Sequence, residues 1–455
     1  MSLSQGCRNL IGSAGTALCL AGAIATPVAP ALAFCGFYVA QADSKLFNKS
    51  SKVVLAWDSG RASVTMASDY EGDPKEFALV VPVPTVVKER DIRVVDNALV
   101  DKLDAYSAPR LTEYFDRDPC EPVVAAEAMP SAVPPPPGSS RAGNAEGVTI
   151  EARYEVGVYD ILILSAQDSS GLVAWLKTND YRIPSGAEGV LGSYIRQGMH
   201  FFVAKVNLER QKASDGYLRP LQVSYETRKF MLPIRLGTVN ANGPQDLIVF
   251  VLSRKGRVET SNYQTAKMPS GMAIPLFAKS DFGSIYKAAF DTRVEADGMS
   301  KVYMEYGWDM SGYMPCDPCS AAVPNSVDLF TLGARWHYPQ FAGASAEELK
   351  TAQFAPGPLD AYLTRLHVRY TAQNFPEDLA FTETRDREPF QAIYKLTHPA
   401  KSTGSCEQGR QYLRSLPQRF AVEARNLARL TGWSEVGIRA RMEKSGQSFS
   451  VAVPN

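Results

Sequence analysis

Two cysteines three residues apart, Cys316 and Cys319 in YMPCDPCS (313–320), are the part of the chain best equipped for chemistry. A C-x-x-C pair can serve three ends. As a redox dithiol, one thiolate attacks a partner's disulfide and the other resolves the mixed disulfide. As half of a zinc site, the pair needs two more ligands, from Cys35, Cys120, Cys406 or the histidines at 200, 337, 367 and 398. As a staple, the two join each other, or each joins a distant cysteine such as Cys120 or Cys406. Redox motifs of this type start a helix after a core strand. CDPCSAAVPNS instead carries Pro324 soon after the pair and shows no sustained helical period. No second close pair completes a zinc set. The staple is therefore favoured, and Asp118-Pro119-Cys120 fits a turn held by such a bridge.

The acidic stretch SDYEGDPKE places Asp69, Glu71 and Asp73 at alternating positions around Gly72. Alternating oxygen ligands with a turn glycine are what a calcium loop needs. The stretch does not match a full twelve-residue loop, and a solvated turn between strands explains it as well. His337 and His367 sit in aromatic and strand settings, where a structural histidine is the expected role. The mature chain has no G-x-S-x-G elbow, P-loop, H-E-x-x-H or G-x-G-x-x-G. No catalytic residue, metal or cofactor is assigned. Low-ranked exceptions are Cys316 and Cys319 for thiol–disulfide exchange, and the acidic loops for a metal-dependent hydrolase.

The N-terminus speaks to compartment. Arg8 is the single charge in residues 1–33, followed by LIGSAGTALCLAGAIATPVAPALA. The run closes on Ala31-Leu32-Ala33, the small-x-small pattern of signal peptidase sites. Cleavage is expected after Ala33. Pro27, Pro30 and a short apolar core argue against a membrane anchor, which takes about 20 apolar residues. Phe34 before Cys35 argues against lipidation, which requires a small residue there. The expected location is periplasmic or secreted, with no integral membrane segment in the mature chain.

Lys plus Arg and Asp plus Glu are equal at 48 each, which gives no electrostatic footprint for nucleic acid. Hydrophobic residues make up 45% and charged residues 21%, an ordinary globular composition that 455 residues can divide among two or three domains. Five cysteines remain after export: Cys35, Cys120, Cys316, Cys319 and Cys406. Outside the cytoplasm these are disulfide candidates, and an odd number leaves at least one over.

The elements that must position these groups follow from periodicity. KVVLAWDSGRASVTMAS (52–68) predicts a hairpin around Asp58-Ser59-Gly60. EFALVVPVPTVV (76–87) predicts a strand at an edge over at least its second half, because Pro82 and Pro84 cannot donate. NALVDKLDAYSAPRLTEYF predicts a helix with Leu99, Leu103 and Tyr106 on one face, broken or ended by Pro109. AMPSAVPPPPGSSRAGNAEG (128–147) reads as a linker. Strands and two helices follow, the first helix capped by Ser169 or Ser170. A further hairpin is expected around Lys255-Gly256. The stretch 405–433 predicts a helix broken near Pro417. Phe37–Ala40 is similar to Phe201–Ala204, a hint of internal duplication.

The expected organisation is a signal peptide (1–33), a β-rich unit (34–127), the linker (128–147), an α+β unit (148–279) and a C-terminal α+β region (280–455). FCGFYVAQADSKLFNKSSKVVLA, GDPKEFALVVPVPTVV, LDAYSAPRLTEYFDRDPC, YRIPSGAEGVLGSYIRQGMHFFVAKV, MPCDPCS and TRLHVRYTAQNFPEDLAFTET resemble the bacterial DUF2330 family across nearly the whole mature chain. The resemblance implies a secreted or envelope-associated protein and brings no activity or catalytic residue with it. The expected fold is α+β. The leading function is a non-catalytic extracytoplasmic protein that binds an envelope protein or small ligand, with disulfides supporting the fold.

Overall fold

A computed structural model describes residues 37–40, 47–71, 77–121, 149–179, 183, 186–206, 219–239, 241, 243–312, 321–355, 357–401 and 404–450. Cys35, Asp73, Cys316, Cys319 and the 128–147 stretch lie outside them. So do the side chains of Asp69 and Glu71.

The first strands are β1 (Phe37–Ala40), β2 (Phe47–Asp58), β3 (Arg61–Glu71), β4 (Phe77–Val83) and β5 (Ile92–Val94). β2 and β3 form the expected hairpin. Ser59 and Gly60 both take positive φ, at 50° and 86°. That is the turn whose twist matches the paired strands. β4 pairs with β1 only over Phe77–Val80, so Val81–Val83 have a neighbour on one side alone among the described residues. Pro82 is accommodated there because a missing donor on the open side costs no ladder bond. Helix α1 (Asn97–Ser107) stops before Pro109 and gives way to β6 (Arg110–Phe115).

Next come β7 (Thr149–Val156), β8 (Tyr159–Ser165), α2 (Ser169–Thr178), α3 (Ala187–Ile195), β9 (His200–Val206) and β10 (Leu221–Glu226). Asp168, one residue earlier than expected, caps α2 by accepting from the Gly171 amide. They are followed by β11 (Met231–Leu232), β12 (Gln245–Ser253), β13 (Val258–Thr260), β14 (Gln264–Lys267), β15 (Met272–Ala273) and α4 (Ala278–Ala296). The expected hairpin at Lys255-Gly256 does not form, because β12 and β13 join different sheets. The chain continues through β16 (Lys301–Asp309), α5 (Ser326–Thr331), α6 (Ala346–Thr351), β17 (Tyr362–Tyr370), β18 (Leu379–Glu383), β19 (Phe390–Gln391), β20 (Ile393–His398), α7 (Glu407–Thr431) and α8 (Glu435–Lys444).

Two large sheets pack face to face. One runs β1-β4-β9-β8-β7; the other runs β14-β16-β17-β12-β2-β3-β10-β5, with β19 beside β16. Both draw strands from either side of the 128–147 stretch. Alternation decides the faces. Leu79, Val81, Ile161, Ile163, Phe202 and Ala204 meet Val53, Leu55, Val249, Val251, Leu366 and Val368 in the central core. The intervening Ala78, Val80, Phe201 and Val203 turn outward and are covered by α2 and α3. On the far side Val54, Ala56, Phe250 and Leu252 are covered by α1 and the α5 segment. A satellite core joins α4, α7 and α8 to β15 and β20. The fold is thus α+β, with helices on the outer faces of two stacked sheets.

Helix α7 runs unbroken through Pro417. Proline removes one helical bond there. Anchors on both sides hold the axis: Tyr412 Oη donates to Asp116 Oδ2 at 2.6 Å, and Arg419 Nη1 to the same oxygen at 2.5 Å. About three turns beyond Tyr412 on α7, Glu423 is 1% exposed. Its Oε2 accepts from Gln447 Nε2 at 2.8 Å, and its Oε1 lies 3.5 Å from Arg419 Nε without a hydrogen bond. Burial pushes its pKa from 4.5 up to about 7, against the pull of Gln447 and Arg419, with Asp116 adding to the rise. The folded chain therefore holds a proton that the unfolded chain releases, so stability falls as pH rises from about 4.5 through about 7. Glu423→Gln is expected to match the wild type at pH 5 and to exceed it by about 3 kcal/mol at pH 8. Urea unfolding at the two pH values reads this directly, and a pH-independent difference would remove Glu423 as its source.

Candidate functional site

The strongest concentration of ionisable groups lies on the nine-stranded sheet, on the face turned away from the central core. β17 presents Arg365, His367 and Arg369 at every second residue, while Leu366 and Val368 between them enter the central core. β16 carries a bulge between Met304 and Tyr306, which leaves Glu305 as the extra residue. Bulges re-aim a side chain, and this one sets Glu305 among the groups of β17 with no exposure to solvent.

Three donors saturate the Glu305 carboxylate. Tyr286 Oη and His367 Nδ1 reach Oε1 at 2.6 and 2.7 Å, and Arg365 Nε reaches Oε2 at 2.6 Å. Burial alone would raise the Glu305 pKa. The charges of His367 and Arg365 outweigh it and hold the group down, to about 2. An ionised Glu305 makes His367 Nδ1 the donor. Arg365 also binds the side chain of Asp104 at 2.5 Å, and Lys52 pairs with Asp104 and Asp101 at 2.8 and 3.0 Å. On the other flank Arg369 makes a two-pronged pair with Asp246 at 2.7 and 2.6 Å and reaches Asp291 at 2.7 Å. Signs thus alternate along the row, which is how charges are kept in a place with little water.

A carboxylate orienting a histidine is two-thirds of a nucleophilic triad. Among the described residues no hydroxyl or thiol bonds His367 to complete the set. His367 Nε2 faces another carboxylate, Asp246 Oδ1 at 4.0 Å, and Phe290 stacks on the ring at 3.6 Å between centroids, tilted by 3°. The geometry locks the imidazole in place and closes off its face.

A second feature gathers cysteine and charge. Cys120 and Cys406 form a disulfide with a Cα separation of 5.7 Å. It takes both residues away from Cys316 and Cys319, so neither member of the C-x-x-C can staple to Cys120 or Cys406. Beside it lies an open depression of about 430 Å³ lined by Asp116, Arg117, Asp118, Pro119, Glu121 and Lys401, among others.

Of the other histidines, His398 Nε2 bonds Glu113 Oε2 at 2.8 Å and stacks on Phe115, and His337 Nδ1 lies 3.2 Å from the Ala334 carbonyl. No group of three or more His, Cys, Asp or Glu able to hold a metal occurs among the described residues. No helix among them is long and apolar enough to cross a membrane.

Residues 29–382 match the model of a family described as "Uncharacterized protein conserved in bacteria (DUF2330)". The chain belongs to the DUF2330 family. The match includes Cys120, Glu305, Cys316, Cys319, Arg365 and His367. It ends before Cys406 and α7, so in this DUF2330 protein the disulfide ties the matched part to the C-terminal helices. No curated protein matches the chain. Among solved structures it is similar to the crystal structure of baculovirus p35, at 9% identity and a TM-score of 0.21, over 47% of this chain and 66% of that one.

Sequence reasoning passed over Glu305, Arg365, Asp104 and Glu423. The signal for Arg365 was present in TRLHVRY. Basic residues at every second position of a strand whose other face is apolar require carboxylates opposite them if both faces are covered. Nothing in the sequence marks which carboxylates.

Proposed function

We propose that this DUF2330 protein is exported and acts outside the cytoplasm as a non-catalytic binding or structural protein of the envelope. The Cys120–Cys406 disulfide carries this reading, since such bonds persist in oxidising compartments and are rare in reducing ones. The saturated environment of Glu305 adds support. Its donors and its lowered pKa suit a fixed internal counter-ion, whereas a proton-transfer catalyst needs a pKa near the working pH. Phe34 becomes the mature N-terminus after removal of residues 1–33. With Cys120 and Cys406 joined, Cys316 and Cys319 pair with each other as a staple, and Cys35 is the odd cysteine. The open depression beside Cys120, with both signs of charge on its walls, is the place where an envelope partner would find polar complementarity.

The test is fractionation of cells expressing the full chain, followed by intact mass and mass-mapped alkylation through a glutathione redox series. Export, a Phe34 start and a Cys316–Cys319 bond that stays oxidised below about −300 mV are expected. A bond that reduces between about −120 and −270 mV and exchanges with a partner would make the protein an oxidoreductase instead. Retention in the cytoplasm with reduced thiols would remove the envelope role.

A further inference from the structure

A second set of buried charges, on the opposite flank of the same sheet, lacks the compensation seen around Glu305. Arg61, Ser63 and Thr65 alternate along β3. Thr65 is opposite Gln222 of β10, and Gln222 is opposite Arg93 of β5. Paired residues share a face, so Thr65, Gln222 and Arg93 form a polar row across three strands. The segment after α5 lies over it. Arg335 Nη2 donates to Gln222 Oε1 at 2.5 Å, and Gln222 Nε2 donates to Thr65 Oγ1 at 2.7 Å and to the Thr331 carbonyl at 2.8 Å. Arg93 Nη2 donates to the Ala344 carbonyl at 2.5 Å. Arg93 and Arg335 are each 7% exposed.

Among the described residues two carboxylates face the three arginines; both form their ion pairs with Arg61, and Asp91 also attracts Arg93 and Arg335 at longer range. Asp91 Oδ1 is 2.5 Å from Arg61 Nη2, and Glu226, largely exposed, is 3.9 Å from Arg61 Nη1. Arg93 and Arg335 have no ion pair among the described residues. Their partners are neutral amide and carbonyl oxygens and the ring of Phe330, 6.0 and 5.0 Å from the two guanidinium carbons. Three guanidinium nitrogens, Arg61 Nε, Arg93 Nε and Arg335 Nη1, are buried without a hydrogen-bond partner. Burial, with the neighbouring arginines, depresses the pKa of Arg335 well below its ordinary value, and burial brings Arg93 down to about 10, in both cases against the weaker pull of Asp91. Arginine nonetheless keeps its proton in proteins, so two positive charges with no ion pair of their own, sharing only the distant attraction of Asp91, sit where water is scarce. Such an arrangement is costly without a counter-ion.

We propose that Arg61, Arg93 and Arg335 form a binding site for an oxyanion, the chemistry shared by phosphoryl, sulfuryl and carboxylate groups. Guanidinium forks match the geometry of such groups and bind them in preference to a spherical halide. The three unpartnered nitrogens supply donors, and the half-buried Arg61 opens the site toward solvent. The site is independent of where the protein resides.

The test uses the purified full chain in buffer free of oxyanions. Inorganic phosphate, sulfate and citrate are titrated against chloride of matched ionic strength while the melting temperature is followed. A saturable rise is expected with the oxyanions beyond that with chloride, of roughly 3 °C at a hundredfold excess over Kd. A response to phosphate and sulfate alone assigns phosphoryl-type ligands, and one led by citrate assigns carboxylate-bearing ones. Arg335→Met is expected to abolish the rise, and without oxyanion to be at least as stable as the wild type, because it removes a buried charge that has no ion pair. Arg93→Met makes the same comparison should the first variant not fold. A wild-type response no larger than that to chloride, or an equal response in the variants, overturns the site.

Discussion

Arg365→Met is expected to destabilise the fold by about 3–5 kcal/mol, the usual cost of stripping one partner from a buried ion pair. Arg365 is 5% exposed and Glu305 is fully buried. The variant keeps much of the side-chain volume, so lost packing contributes little. The loss comes from Glu305 and Asp104, which are left facing an apolar group. Removing the charge on both sides, in Arg365→Met with Glu305→Met, is expected to recover part of it, since an apolar pair of similar volume avoids the desolvation of two ions. Recovery is incomplete because Tyr286 Oη and His367 Nδ1 then lose their common acceptor, at about 1–3 kcal/mol for each buried group left unpaired. Urea midpoints of the four proteins in the cycle measure the coupling. A single-variant cost below about 1 kcal/mol would mean that water reaches Glu305. Acid sensitivity has the opposite sign from that of Glu423. The folded pKa of Glu305 is lowered, so its stabilising contribution is present above about 4.5 and is lost as pH falls through about 2.

Opening the Cys120–Cys406 bond is expected to cost 2–5 kcal/mol, the usual range for a native disulfide. The 286-residue separation gives a chain-entropy value just above that range, about 5–6 kcal/mol. The variant should be Cys120→Ala with Cys406→Ser. Cys406 is the N-cap of α7, and its sulfur accepts from the Gly409 amide at 3.2 Å. Serine keeps an acceptor there, so the difference reports the cross-link rather than a lost cap. The change should appear first as easier opening of α7. Beyond the bond, this helix is held to the β6 end by Tyr412 and Arg419 on Asp116. Equal melting temperatures for the oxidised wild type and the variant would show that packing alone holds α7.

Some features were legible because their causes are local. The β2–β3 hairpin follows from two residues that accept positive φ between alternating runs. The end of α1 follows from the clash of Pro109 with the preceding turn. The half-edge character of β4 follows from Pro82 lacking a donor. Others failed because a distant contact outweighed the local preference. Pro417 breaks helices in isolation, yet α7 passes through it with Asp116 anchoring both sides. Asp168 took the capping role over the serines after it through a hydrogen bond to Gly171.

Residue types and spacing alone determined the α+β class, the β2–β3 turn, the likeness to the DUF2330 family and which cysteines stood as candidates for bonding. Tertiary structure alone decided that β3 and β10 lie side by side, that Cys120 meets Cys406, that a bulge turns Glu305 onto Arg365 and His367, and that Arg93 and Arg335 share a buried face with no ion pair of their own among the described residues. The physical reason is range. Dihedral preference and side-chain periodicity act over a few residues and are written in the sequence. Strand order, disulfide pairing and the balance of buried charge depend on which segments meet across hundreds of residues, and that is settled by burial of the whole chain.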